Sequence, residues 1–137
     1  TDIASIEIHR TNCYGRCPDY RLIVTETGKA TYVGRRHAEH QGTYEGQVDA
    51  KPVAKLFSEF KRYKVDTCSE KYKNAIPDMA GLEYTIIYKN GREQLIQNAN
   101  SPFAPAFLKG LADQLDKIAP LDVTAWKKTE SWSENTN

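Results

Sequence analysis

Two cysteines with three residues between them, set between two stretches that alternate apolar and polar residues, constrain this chain more than any other feature. The stretch reads Cys13-Tyr14-Gly15-Arg16-Cys17-Pro18-Asp19-Tyr20. Gly15 tolerates a positive φ, while Pro18 fixes its own φ and pushes Cys17 toward an extended conformation, so the chain can turn and leave as a strand. Ile6 and Ile8 before the stretch, and Tyr20, Leu22 and Val24 after it, repeat every second residue and predict a hairpin with the cysteines at its tip. A disulfide between Cys13 and Cys17 removes about 2 kcal/mol of unfolded-state freedom, which stiffens a loop more than it stabilises a domain. Two alternatives to that pairing stay open on the residues alone, a soft-metal site on both thiolates and a redox-active pair. Thioredoxin-type motifs place two residues between their cysteines and open a helix; here the spacing is three and a strand follows.

The rest of the chain fits an α+β domain. Thr27-Gly28-Lys29 turns the chain into a third strand over residues 30–36, and a polar connection leads to a short fourth over 43–48. Asp49 as N-cap and Pro52 in the first turn open a helix with Val53, Leu56, Phe57 and Phe60 on one side, ending near Tyr63. Residues 64–81 lack a period and form a long loop, of a kind more often functional or mobile than a mere connector. Asn90-Gly91 predicts a two-residue type I′ hairpin with Ile86 opposite Leu95, Tyr84 opposite Gln97 and Thr85 opposite Ile96. Ser101-Pro102 then starts a second helix carrying Ala104, Phe107, Leu108, Leu111, Leu115 and Ile118, which Pro120 stops. The order ββββ-α-ββ-α predicts a mostly antiparallel sheet of about six strands with two helices packed on one face. The expected core is Ile6, Ile8, Leu22, Val24, Leu56, Phe60, Ile86, Leu95, Leu111 and Leu115. Residues 1–126 read as a single domain in which Leu121–Trp126 packs back on the core, and 127–137 as a fraying polar tail.

At Cys13-Tyr14-Gly15-x-Cys17-Pro18-x-Tyr20, entered from Ile6-Glu7-Ile8-His9-Arg10 and followed by Thr27-Gly28-Lys29-Ala30-Thr31-Tyr32-x-Gly34, the sequence resembles a family of small bacterial domains of unknown function. The signature of that family is Cys, Phe or Tyr, Gly, any residue, Cys, Pro, any residue, Tyr. The resemblance runs over most of the chain and includes the helix near 50–63, an Asp ahead of a later hairpin (Asp78) and a Trp near the end (Trp126). Met79-Ala80-Gly81 stands where the family has a Pro soon after that Asp, and Cys68 lies outside the pattern. The likeness implies an α+β module of envelope or secreted settings, and no activity.

With 19 Lys+Arg against 18 Asp+Glu, the chain lacks the basic excess of a nucleic-acid surface. No apolar run approaches the ~20 residues of a membrane span. No signal peptide is recognisable; a start at Thr1 rather than Met fits a processed or trimmed chain, which leaves room for an export signal removed ahead of it. There is no Gly-rich phosphate loop, and no nucleophile beside a base or spaced carboxylate pair marks an enzyme site, so the chain reads as a non-catalytic binding or structural module without a cofactor. Its candidate interaction surface is Tyr14, Gly15 and Arg16 at the tip, presented at a sheet edge, with Asp78 from the long loop. The partner expected is a protein or an envelope component. A periplasmic or extracellular location goes with a Cys13–Cys17 disulfide, and a cytoplasmic one with reduced thiols. Cys68 is left as a spare, partly buried thiol. His37 and His40 read as surface residues. His9, on the strand end ahead of Cys13, supports the alternative: Sco-type copper chaperones resemble the Cys13–Pro18 stretch locally, and Cys13, Cys17 and His9 would be the copper(I) ligands, or the cysteines a thiol-redox pair.

Overall fold

The computed structural model of the chain describes residues 2–11, 13, 15–74 and 80–134. Four strands come first, β1 (Ile3–Arg10), β2 (Tyr20–Thr25), β3 (Lys29–Gly34) and β4 (Gly42–Gln47), followed by helix α1 (Ala50–Arg62). The hairpin of β5 (Leu82–Tyr88) and β6 (Glu93–Ile96), helix α2 (Phe107–Ile118) and strand β7 (Lys127–Glu130) complete the order. The strands form one sheet, β6-β5-β1-β2-β3-β4-β7, in which every neighbouring pair is antiparallel.

The alternation seen in the sequence decides which face is buried. Ile6, Ile8, Leu22, Val24, Tyr84 and Ile86 point to one side and have almost no exposure, while their sequence neighbours are half-buried on the other side. Against the buried side lie Val53, Leu56 and Phe60 of α1 and Leu108, Leu111 and Leu115 of α2. Tyr84 marks the centre: its ring meets Phe60 edge-on at 5.8 Å, and its hydroxyl donates to the Leu108 carbonyl. Both helices therefore sit on one face, as the strand and helix order predicts.

Four local expectations need correction. The β5–β6 turn has three residues, not two. Tyr88 N donates to Arg92 O at 2.9 Å and Gly91 N to Tyr88 O at 2.9 Å; Gly91 has φ +90°, but Asn90 does not take the positive φ that a type I′ turn requires. The register moves by one residue, to Tyr84 opposite Ile96, Thr85 opposite Leu95 and Ile86 opposite Gln94. Because side chains alternate faces, the slip takes Leu95 out of the expected core and puts Gln94 and Ile96 in. Buried Gln94 is accommodated by hydrogen bonds, accepting from the Tyr88 hydroxyl and donating to the Val65 carbonyl.

Helix α2 starts at Phe107 rather than at Ser101-Pro102. The Ser101 hydroxyl donates to the Lys73 carbonyl and accepts from Phe103 N, so it closes a local turn, and Pro105 disfavours a helical conformation at Ala104. Asp49 does occupy the N-cap of α1, but its side chain makes no capping bond. The strands number seven because Lys127–Glu130, read as part of a fraying tail, pairs with β4. Every one of its residues is exposed, which is why no apolar alternation announced it. Ahead of it Trp126 is 7% exposed and packs in the core as expected. Finally, the stretch read as one long loop is tied down in part. A 3-10 turn spans Val65–Thr67, and residues 70–72 lie along the β6 side, with Gln97 N donating to Glu70 O at 2.7 Å and Tyr72 N to Gln97 O at 3.1 Å. Backbone bonds of this kind leave no side-chain period.

Candidate functional site

The cysteine tip joins β1 to β2, the third and fourth strands of the sheet, and so projects from the middle of one sheet end. This corrects the expectation of a tip at a sheet edge: β5 returns to pair with the free side of β1, which a reading in chain order does not show. Cys13 and Cys17 are half-buried with their sulfurs at disulfide distance and their Cα atoms 5.5 Å apart. Gly15 uses the positive φ expected of it, +125°, and both Gly15 and Arg16 are exposed. Tyr14 and Asp78 lie outside the described residues.

Both legs of the tip are rooted in backbone. On the β1 side Thr11 N donates to Gly81 O at 3.0 Å, and Gly81 N returns a bond to Thr11 Oγ1 at 2.8 Å. On the β2 side Asp19 N donates to Arg36 O at 2.9 Å, and Arg35 N to Asp19 O at 2.8 Å. Side chains tie the legs together. On the face away from the helices, His9 Nε2 lies 2.8 Å from Asp19 Oδ1 while Nδ1 is 3.7 Å from Glu83 Oε2. His9 is thus engaged by Asp19. Among the described residues no group of three or more His, Cys, Asp or Glu side chains is placed to hold a metal ion. On the helix face, Arg10 Nε donates to the Tyr20 hydroxyl at 2.9 Å and to Asp116 Oδ2 at 3.0 Å, Arg10 Nη2 reaches Asp116 Oδ2 at 2.7 Å and Asp113 Oδ1 at 3.0 Å, and the Tyr20 hydroxyl donates to Asp116 Oδ1 at 2.9 Å. This knot fastens the base of the tip to α2.

Its electrostatics follow from that geometry. Burial pushes the Tyr20 phenol well above its ordinary range, and the Asp116 charge pushes in the same direction. For Arg10 burial acts downward but is outweighed by the bonds and charge of Asp116, so the guanidinium is held still more firmly charged. Sequence reasoning missed this knot because Arg10 and Asp116 are 106 residues apart; a Tyr following the Cys-Pro pair was its only local trace.

Beside the knot the helix face carries a ladder of aromatic rings. Tyr20 stacks on Tyr32 with centroids 5.6 Å apart, Tyr32 lies 6.3 Å from Tyr44, and Lys128 Nζ of β7 sits 5.8 Å from the centroid of the Tyr44 ring. Pro18, Tyr20 and Tyr32 with Asp116 and Leu121 enclose a groove of about 350 Å³. A second cleft, of about 520 Å³, lies at the opposite sheet end between α1, the 3-10 turn and the β5–β6 turn, with the pairs Lys61–Asp2 and Lys89–Glu26 on its rim. His37 is exposed with φ 62°, and His40 is 3.9 Å from Glu39. Cys68 is half-buried and unpaired by disulfide, and burial pushes its thiol up.

With that geometry in hand, residues 4–119 match the family model described as a domain of unknown function, DUF6438. The chain belongs to this family. No curated protein and no solved structure matches it. The DUF6438 match runs from β1 to the end of α2 and so takes in the tip, its backbone roots and the Arg10 knot; Trp126 and β7 lie beyond it. No helix of the described residues is long and apolar enough to cross a membrane.

Proposed function

We propose that this DUF6438 domain is a non-catalytic recognition or structural module of the bacterial cell envelope, whose contact surface is the Cys13–Cys17 tip and in which Cys13 to Tyr20 is the family signature. The observation that carries the reading is the double rooting of the tip, by His9–Asp19 on one face and Arg10–Tyr20–Asp116 on the other. A loop held this way, and closed by a disulfide, loses less conformational freedom on binding than a free one. Exposed Gly15 and Arg16, with Tyr14, are the residues it offers to a protein or envelope partner. A disulfide there suits the periplasm or the cell exterior.

Capture from lysate of the native host, with the folded domain as bait, tests this. Tyr14→Phe and Arg16→Gln are expected to weaken the captured complex without lowering the melting temperature, and unchanged capture by both variants would remove the tip as the contact surface. The competing reading is a copper(I) site on Cys13, Cys17 and His9, or a thiol-redox pair. It needs both thiols reduced and, for copper, His9 released from Asp19. Anaerobic Cu(I) titration of the reduced protein against a Cys13→Ser/Cys17→Ser variant decides between them: tight one-to-one binding lost in the variant replaces the recognition reading with copper.

A further inference from the structure

The groove beside the tip has a chemistry of its own. The stacked Tyr20 and Tyr32 line it, with Pro18 and Leu121 among its apolar residues. The charged side chains lining it are Glu39 and Asp116; no Lys, Arg or His is among its described lining residues. Asp116 shares Arg10 with Asp113, so two carboxylates face that one guanidinium beside the groove, and Glu39 adds a further carboxylate to its lining. The Glu39 side chain is 90% exposed, and among the described residues its ion-pair contact is with His40 at 3.9 Å, so its charge faces solvent where a ligand can meet it. Burial first, and then the neighbouring Glu39, Tyr44 and Asp116, together raise the Tyr32 phenol to about 12. What such a ladder accepts is visible one rung along, where Lys128 lies over Tyr44. The negative face of an aromatic ring attracts an ammonium or guanidinium group, more strongly with carboxylates beside it.

We propose that the groove at Tyr32, Glu39 and Asp116 receives a lysine or arginine side chain carried by an exposed segment of a partner protein. This rests on the recognition reading above, because Pro18 joins the groove to the tip and the two would be contacts for one partner. The tip supplies a rigid ridge and the groove supplies charge selectivity.

The test is a heteronuclear NMR titration of the whole chain with two blocked peptides of equal length, one alternating Gly and Lys, the other Gly and Glu. The lysine peptide is expected to shift the amides of Tyr32, Glu39 and Leu121 saturably, and the glutamate peptide to leave them in place. Glu39→Gln and Tyr32→Leu should each weaken binding about fivefold, while Tyr32→Phe, which keeps the ring, should bind as the parent does. Glu39→Gln gives up no more than the exposed 3.9 Å contact with His40, so it remains informative if Tyr32→Leu destabilises the sheet. Absent or scattered shifts, equal binding of the glutamate peptide, or undiminished binding by Glu39→Gln would each overturn the proposal. Neither peptide depends on Arg16 or on the native partner. A groove that ignores lysine while Arg16→Gln still loses its partner in the lysate experiment would therefore sink this proposal and leave the tip reading standing.

Discussion

Arg10 is the residue on which the base of the tip depends. It is 27% exposed and Asp116 30%, so solvent screens the pair and its worth is below that of a fully buried one. Removing it still leaves Asp113, Asp116 and the Tyr20 hydroxyl without their shared donor. Arg10→Ala is expected to cost about 1–3 kcal/mol in chemical denaturation, and a double-mutant cycle with Asp116→Ala should return a coupling above about 0.5 kcal/mol; additive losses would mean the bonds are incidental. The tyrosines give a pH signature. Tyr20, Tyr84 and Tyr32 all have raised phenols, burial being the first cause in each. The folded chain thus keeps protons that the unfolded chain releases near pH ~10. Stability is fully present below that point and declines as pH rises, with Tyr32 ionising only near 12. Denaturation midpoints measured across this range should fall, and Tyr32→Phe should flatten part of the fall. A midpoint indifferent to alkali would contradict the linkage.

At the scale of elements, close backbone approach decides what the sheet tolerates. A Cβ at Gly46 would run into the Trp126 indole, so Gly46→Ala is expected to lower stability by about 1–3 kcal/mol through overpacking. Gly91→Ala meets open space but keeps the strain of φ +90°, and should cost about 1 kcal/mol. Thermal melts of the two variants that show Gly91→Ala as the more damaging would reverse this ranking. Strand β7 is the opposite case, exposed along its length and paired through three residues of β4. A chain ending at Trp126 is expected to stay folded, with faster amide exchange confined to β4; global unfolding would show that β7 closes the fold rather than trimming its edge.

For the whole molecule, the cysteine pair is the test of compartment. Alkylation and intact-mass analysis before reduction should find one reactive thiol, Cys68, modified slowly because burial pushes that thiol up and keeps it protonated. After reduction three should react, with a loss of about 2 kcal/mol of stability. Three reactive thiols from the start would refute the bond and point to a reducing compartment or a metal site. A loss this small would leave the core standing, because the sheet face and both helices pack far from the tip in sequence, through residues such as Phe60, Tyr84 and Leu108.

Local chemistry alone determined the strands around the tip, α1 with Val53, Leu56 and Phe60 inward, and the burial of one sheet face, because each is written as a period of two or of 3.6 within a few residues. It also placed the cysteines at a hairpin tip and gave Gly15 its positive φ. The register of β5 on β6 was beyond its reach, since one residue more or less in the turn exchanges Leu95 for Gln94, and Gln94 is acceptable inside only because Tyr88 and Val65 bond it. The start of α2 was decided by Ser101 reaching Lys73, and β7 by an edge of β4 with no apolar pattern of its own. The candidate site divides in the same way. Its tip is contiguous in sequence, whereas the Arg10–Tyr20–Asp116 knot and the tyrosine groove are made of residues that meet only when α2 is laid across the sheet. No local period records which distant carboxylate a given arginine will find.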